Sequence, residues 1–465
     1  MARVVTEMVE KCRVTAMIET DRNIRRAIAK LAVPASLEGI LQACLGFTDQ
    51  VVVGHLGESP LAGAGITNNV MFLATLIIGA IASSASILVA QHYGRGDRKG
   101  VVLTTGCSII GVLVVSIPPA AVAVAFPAGI LRLIGASPDV VAQGYQFFRI
   151  ILLTLPIALF SGVIVGVLRS LGDSRTPMLI TMAAVVSNTL LSVALVFGMG
   201  PFPTLGVEGA AIATCISQIL RACLLSYFLL VRQRFVKIRL VDLWKFDWRM
   251  TRALLSLAYP MLLTDVFWGI GNFTYALLYV RLGTAAVAAT QMINSTLGVV
   301  NTLPTGLAIA ALILVGQAVG TRDPTIITTN SREIRKLGLY ASLLLSLVFV
   351  VICLTLRIFY PNVSQETIDG ATYGLLLNAL FYPAMVTNLV VGSGVLRGGG
   401  DTRFTLVASL TSIYAVGLPA TFVLAFVLKL GLWGVFLGKG MEEISRAVML
   451  LARCRTSRWY RASTS

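Results

Sequence analysis

Charge is scarce in this chain. Asp, Glu, Lys and Arg make up 12% of its 465 residues while 56% are hydrophobic, and a soluble domain of this size carries about twice that charged fraction. Histidine is nearly absent, with only His55 and His92. That excludes the His/carboxylate metal sets and the Ser/His pairs an intramembrane enzyme would need. The seven cysteines (Cys12, Cys44, Cys107, Cys215, Cys223, Cys353 and Cys454) form no CxxC and no metal-binding spacing, and most fall in apolar stretches, where a free thiol acts as a small hydrophobe. No GxxxxGK[ST] sequence occurs, which argues against direct drive by ATP. The ten-residue alternation of a membrane β-barrel is missing too.

Long apolar runs fill the space left by these absences. Segments of about 20 residues, the length a helix needs to cross a hydrocarbon core, recur along nearly the whole chain. We read twelve spans, near 32–53, 66–90, 101–126, 145–168, 177–199, 207–231, 254–280, 286–316, 337–357, 372–396, 404–428 and 431–452. The net charge of +16 is distributed by topology: 29 of the 37 Lys and Arg fall in alternate connections and the two ends, while the other connections hold only Arg132, Arg281, Arg357 and Lys429. This is the positive-inside pattern, and it predicts both termini in the cytoplasm. Nucleic acid is not expected as a partner. Residues 1–31 read as a cytoplasmic tail, since they lack the apolar core of a cleaved signal peptide.

The chain repeats itself. Shifted by 226 residues, Pro34 meets Pro260, Leu56-Gly57 meets Leu282-Gly283, Asn68 meets Asn294, and Gln91, Gly94 and Asp97 meet Gln317, Gly320 and Asp323. At a shift of 228, Val167-Leu168-Arg169 and Gly172-Asp173 meet Val395-Leu396-Arg397 and Gly400-Asp401; near 225, Arg221-Ala222 meets Arg446-Ala447. The expected fold class is therefore all-α, with twelve transmembrane helices in two six-helix bundles. An even number of helices per repeat predicts a pseudo-twofold axis along the membrane normal. The expected domains are an N-lobe over 32–231, a basic and aromatic linker over 232–252, a C-lobe over 253–452 and a C-terminal tail over 453–465. The two Gly-Asp turns read as structural, Gly ending one helix and Asp capping the next.

Three features together resemble the multidrug and toxic compound extrusion (MATE) transporter family: Pro34 followed by Phe47-Thr48-Asp49 and Gly54-His55-Leu56-Gly57, the doubled Gln…Gly ending of the second helix of each repeat, and the doubled Val-Leu-Arg…Gly-Asp turn. The resemblance covers nearly the full length from about residue 30. It implies that Asp49 holds the coupling cation in the N-lobe, with Asn188 and Thr214 as partners. Many members carry a second Asp where this chain has Ser192. One carboxylate fewer weakens a sodium site, which wants several oxygens and net negative charge, so a proton is the expected coupling ion and sodium the alternative. No cofactor is expected.

An acid at mid-membrane costs about 2.5–3.5 kcal/mol on insertion scales, a cost offset by function or by a partner. Glu38 and Asp49 are eleven residues apart and so share one helix face, roughly 16 Å apart along the axis. Glu38, Asn68, Asp265, Tyr275, Gln291 and Asn294 are candidates for lining a substrate cavity. Tyr275 stands where the repeat would place a counterpart of Asp49. Asp265 reads equally as a binding or coupling group or as a structural one bonded to Asn272 or Thr264. Glu442 and Glu443 stand at helical spacing from Lys439 and Arg446 and read as paired with them. The expected function is secondary antiport: export of small cationic or amphiphilic organic compounds in exchange for protons, by a monomer in a bacterial inner membrane. The alternative is a lipid-linked oligosaccharide flippase of the same superfamily, which would place several cations inside its cavity, whereas the spans here are nearly free of Lys and Arg.

Overall fold

The computed structural model describes residues 21–199, 202–233, 239–361 and 363–460. Among them every regular element is a helix. The segments that cross are α1 (Asp21–Gly54), α2 (Glu58–Gly94), α3 (Arg98–Ala125), α4 (Gly144–Ser170), α5 (Arg175–Phe197), α6 (Gly206–Arg232) and α7 (Trp248–Arg281). They continue as α8, in two pieces (Thr284–Val300 and Thr302–Thr321), α9 (Pro324–Phe359), α10 (Gln365–Leu396), α11 (Thr402–Val427) and α12 (Leu432–Cys454). Eleven helices among the described residues are long and apolar enough to cross a membrane. The remaining one, α12, has the length with 23 residues but carries Lys439, Glu442, Glu443 and Arg446 in its middle. The twelve-span, all-helical architecture is as expected.

The repeat reappears as repeated local geometry. Gly57 and Gly283, at φ +116° and +107°, end the turns after α1 and α7. Asp97 caps α3 by accepting from Gly100 N at 2.9 Å, and Asp323 caps α9 by accepting from Thr325 N at 2.8 Å. After α4 and α10 the chain closes the same two bonds, Gly172 N to Arg169 O and Asp173 N to Leu168 O, then Gly400 N to Arg397 O and Asp401 N to Leu396 O. Such closure needs a left-handed residue, which glycine takes without strain; Gly172 and Gly400 lie at φ +88° and +89°. The two Asp residues then part. Asp173 accepts from both the N and the Oγ1 of Thr176, whereas Asp401 makes no cap bond and instead pairs with Arg453 at 2.7 Å.

One expected span is broken. The eighth helix, read as continuous over 286–316, divides at Asn301, whose Oδ1 accepts from Tyr382 OH at 2.9 Å. Pro304 supplies the cause: it has no N–H for the Val300 carbonyl and its ring crowds that carbonyl. The repeat puts Ile78 at the matching place in α2, which runs unbroken for 37 residues.

The chain forms two compact units whose limits do not follow the duplication. One comprises 37–93 and 97–258; the other takes the described residues before 37 together with 94–96 and 259 onward. Residues 21–31, expected as tail, form the first turns of α1 and belong to the second unit, burying Ile24, Ile28 and Leu31 in a cluster with Leu307, Ile327 and Ile334. There Arg25 pairs with Glu333 at 3.2 Å, and Ser36 Oγ donates to Leu303 O at 3.3 Å. The start of α7 belongs to the first unit, with Leu254 and Leu257 buried and Thr104 Oγ1 donating to Met250 Sδ at 3.2 Å. The two helices change unit between Ser36 and Leu37 and between Ala258 and Tyr259, close to the repeated Pro34 and Pro260.

The basic linker is held in the first unit. Its 3₁₀ turn, Leu240–Trp244, leads into Asp247, whose N donates to Cys107 Sγ at 3.4 Å. Lys245 bonds Asp242 at 2.6 Å and, with the Arg239 backbone N–H, holds that carboxyl below the usual carboxylate range.

Candidate functional site

Asp49 lies on α1 in the first unit. Its Oδ1 is buried and accepts no hydrogen bond, and no ion pair reaches it among the described residues. On α5, Asn188 and Ser192 are fully buried one turn apart. Asn188 Nδ2 donates to Thr214 Oγ1 and to Ser217 Oγ, both at 3.1 Å on α6. Its two donor hydrogens are thereby committed to hydroxyls, while Asn188 Oδ1 and Ser192 Oγ are left without partners. The structure thus joins Asn188 to Thr214 and adds Ser217, which the sequence alone does not reveal; among the described residues neither side chain bonds to Asp49 or Ser192. Each of these buried oxygens without a partner is individually costly; on Asp49 a proton would remove that cost.

Glu38, on the same helix, is in the opposite condition. It is 1% exposed and accepts from Arg169 at 2.7 Å, Arg221 at 3.1 Å and Thr181 at 3.0 Å. Two guanidinium groups on one carboxylate make a fixed ion pair, so Glu38 sits in a buried charged node of the first unit. The signal for this node was the repeated Arg169 and Arg221.

The second unit uses the same duplicated arginines differently. Arg397 lies 3.6 Å from Asp265. Neither Asn272 nor Thr264 bonds Asp265: they donate to the backbone oxygens of Trp268 and Pro260, so the expectation of those partners gives way to an ion pair across the lobe. Arg446 pairs with Glu442, as expected from their spacing. Tyr275, the counterpart of Asp49, is buried and donates to Glu442 Oε2 at 2.7 Å, with Lys439 Nζ 5.7 Å from its ring centre. Glu443 accepts from Asn388 Nδ2 at 2.7 Å rather than pairing with a cation. Asn68, Gln291 and Asn294 are exposed on their helices, and no side-chain bond of theirs is formed among the described residues. No group of three or more His, Cys, Asp or Glu that could hold a metal ion occurs among the described residues.

Comparison with known proteins extends over nearly the whole chain. The MatE family model matches residues 34–194 and 260–423, once in each half. A probable multidrug resistance protein NorM of Deinococcus radiodurans is 30% identical over 93% of this chain and 96% of its own length. Another of that name, from Bradyrhizobium diazoefficiens, is 29% identical over 92% of each chain. Among solved structures, a MATE protein in the bent conformation superposes with TM-score 0.85 at 20% identity, covering 95% of this chain and 96% of the other. A transporter of the MOP superfamily from Pyrococcus furiosus superposes with TM-score 0.84 at 20% identity over 95% and 97%.

Proposed function

This chain belongs to the MatE family, and from that premise we propose that it is a secondary antiporter expelling small cationic or amphiphilic organic compounds in exchange for protons. It is a multi-pass membrane transporter and not an enzyme. The observation that carries the coupling assignment is the contrast within α1. Glu38 is neutralised by two arginines, while Asp49 keeps a buried oxygen with no cation and no donor beside it among the described residues. A carboxylate in that condition favours uptake of a proton when water is excluded and release when it is solvated. Proton is favoured over sodium because Ser192 and Asn188 offer neutral oxygens only, and a single carboxylate is a sparse site for a sodium ion. Both termini are read as cytoplasmic, a reading the distribution of Lys and Arg supports.

The energetics set the experiment. One proton entering per monovalent cation expelled moves no net charge, so the pH gradient alone drives export, at about 1.36 kcal/mol or tenfold accumulation per pH unit. A neutral substrate also gains about 2.3 kcal/mol per 100 mV. Membrane vesicles bearing the protein are loaded with a fluorescent organic cation, and pH and sodium gradients are imposed separately. Flux should follow the pH gradient, and Asp49→Asn should remove that dependence while the protein still inserts. Flux that follows sodium alone, or a normal response by Asp49→Asn, refutes the assignment.

A further inference from the structure

The second unit carries a groove apart from Asp49 and its neighbours. It has a volume of about 310 Å³ and lies where residues 332–339 of α9 meet the ends of α10 and α12, lined among others by Arg332, Arg335, Lys336, Leu339, Val390 and Leu451. Its cations stand at a sharp boundary: residues 324–336 of α9 are largely polar, and from Leu337 to Leu354 the helix is apolar apart from Ser342 and Ser346. Lys336 is taken up by Glu333 at 2.6 Å, and Glu333 in turn by Arg25. Arg332 and Arg335 form no ion pair among the described residues; Arg335 only donates through Nε to Ser331 O at 3.3 Å. Two guanidinium groups at a spacing of three residues lie on one side of a helix.

Below them the helix changes character along the same row. Arg335 is followed at four-residue steps by Leu339, Leu343 and Leu347, which are 47%, 53% and 61% exposed. A charged head above an apolar track of this kind matches a molecule with a phosphate at one end and hydrocarbon at the other. Guanidinium forks fit phosphate oxygens in pairs, and basic grooves between helices at a membrane edge hold anionic head groups. We propose that this groove binds a single anionic phospholipid, its phosphate on Arg332 and Arg335 and an acyl chain along Leu339, Leu343 and Leu347. Charge complementarity selects an acidic lipid over a zwitterionic one, since a choline group would bring a cation to a site already positive.

The test uses the full chain purified in neutral detergent, with lipid retention read by native mass spectrometry. Equal amounts of phosphatidylglycerol and phosphatidylcholine of matched acyl chains are offered, with and without excess inorganic phosphate. The unmodified protein should retain phosphatidylglycerol preferentially, and phosphate should not displace it. At about 1 kcal/mol per cation near a membrane surface, Arg332→Gln with Arg335→Gln should lower retention roughly thirtyfold. Arg249→Gln with Arg252→Gln, which removes the same charge from exposed positions elsewhere, should leave it unchanged. Equal retention of both lipids by the unmodified protein overturns the proposal without reference to any variant. Displacement by phosphate alone, or equal losses in the two double variants, overturns it as well.

Discussion

Two carboxylates eleven residues apart on one helix have met opposite fates, and the difference is set by what neighbouring helices bring. Glu38 meets Arg169, Arg221 and Thr181; Asp49 meets no cation. Removing one member of a buried ion group leaves the others uncompensated, at a cost of about 3–5 kcal/mol. Glu38→Gln should therefore lower the Tm of the purified protein markedly, because two arginines would face each other across a neutral amide. Asp49→Asn removes a buried carboxylate that lacks a partner and puts an uncharged amide in its place, and should leave Tm unchanged or raise it. Thermal unfolding of the two variants in one detergent decides this, and a larger loss for Asp49→Asn would reverse the roles given to the two acids. The sequence singles out Asp49 because an acid amid apolar residues has few structural uses. The ion partners of Glu38 lie more than 130 positions away and so are not legible in the sequence, and the pairing of Tyr275 with Glu442 is hidden for the same reason.

Helix ends were far more legible than side-chain partners, since the physics of termination is local. The glycines at 57, 172, 283 and 400 all take positive φ, and their doubled spacing was visible before any coordinates. An alanine in the left-handed region costs about 1–2 kcal/mol, so Gly172→Ala and Gly400→Ala should each destabilise the protein by about that amount. Near-additive loss in the double variant is expected, because each turn lies in a separate unit. Urea or thermal titration of the single and double variants measures it, and a free Gly400→Ala substitution would show that the turn tolerates an ordinary residue. The break in α8 was also written locally, in Pro304, yet hydropathy passed over it because the residues on both sides remain apolar.

For the whole molecule, the repeat predicted two six-helix bundles, and the structure adds that neither bundle is built from one repeat alone. Each compact unit contains the opening turns of the first helix of the other repeat. Hydropathy could not show this, because a span reads the same whichever neighbours it buries against. A split at the linker tests it directly. Fragments 1–236 and 237–465 expressed together should reconstitute a stable transporter, whereas either alone should be degraded, with Ile24, Ile28 and Leu31 stranded in the first. Accumulation of a stable single fragment to the level of the pair would contradict the exchange of opening turns.

That exchange bears on how such a molecule could have arisen. A six-helix ancestor with the same habit would have lent the tip of its leading helix to a sister chain and borrowed one in return, complete only as a couple. Joining two copies end to end would then have made the loan permanent, replacing a concentration-dependent association with one fixed by the length of the tether. The two prolines would mark the places where each borrowed tip is stitched to its owner.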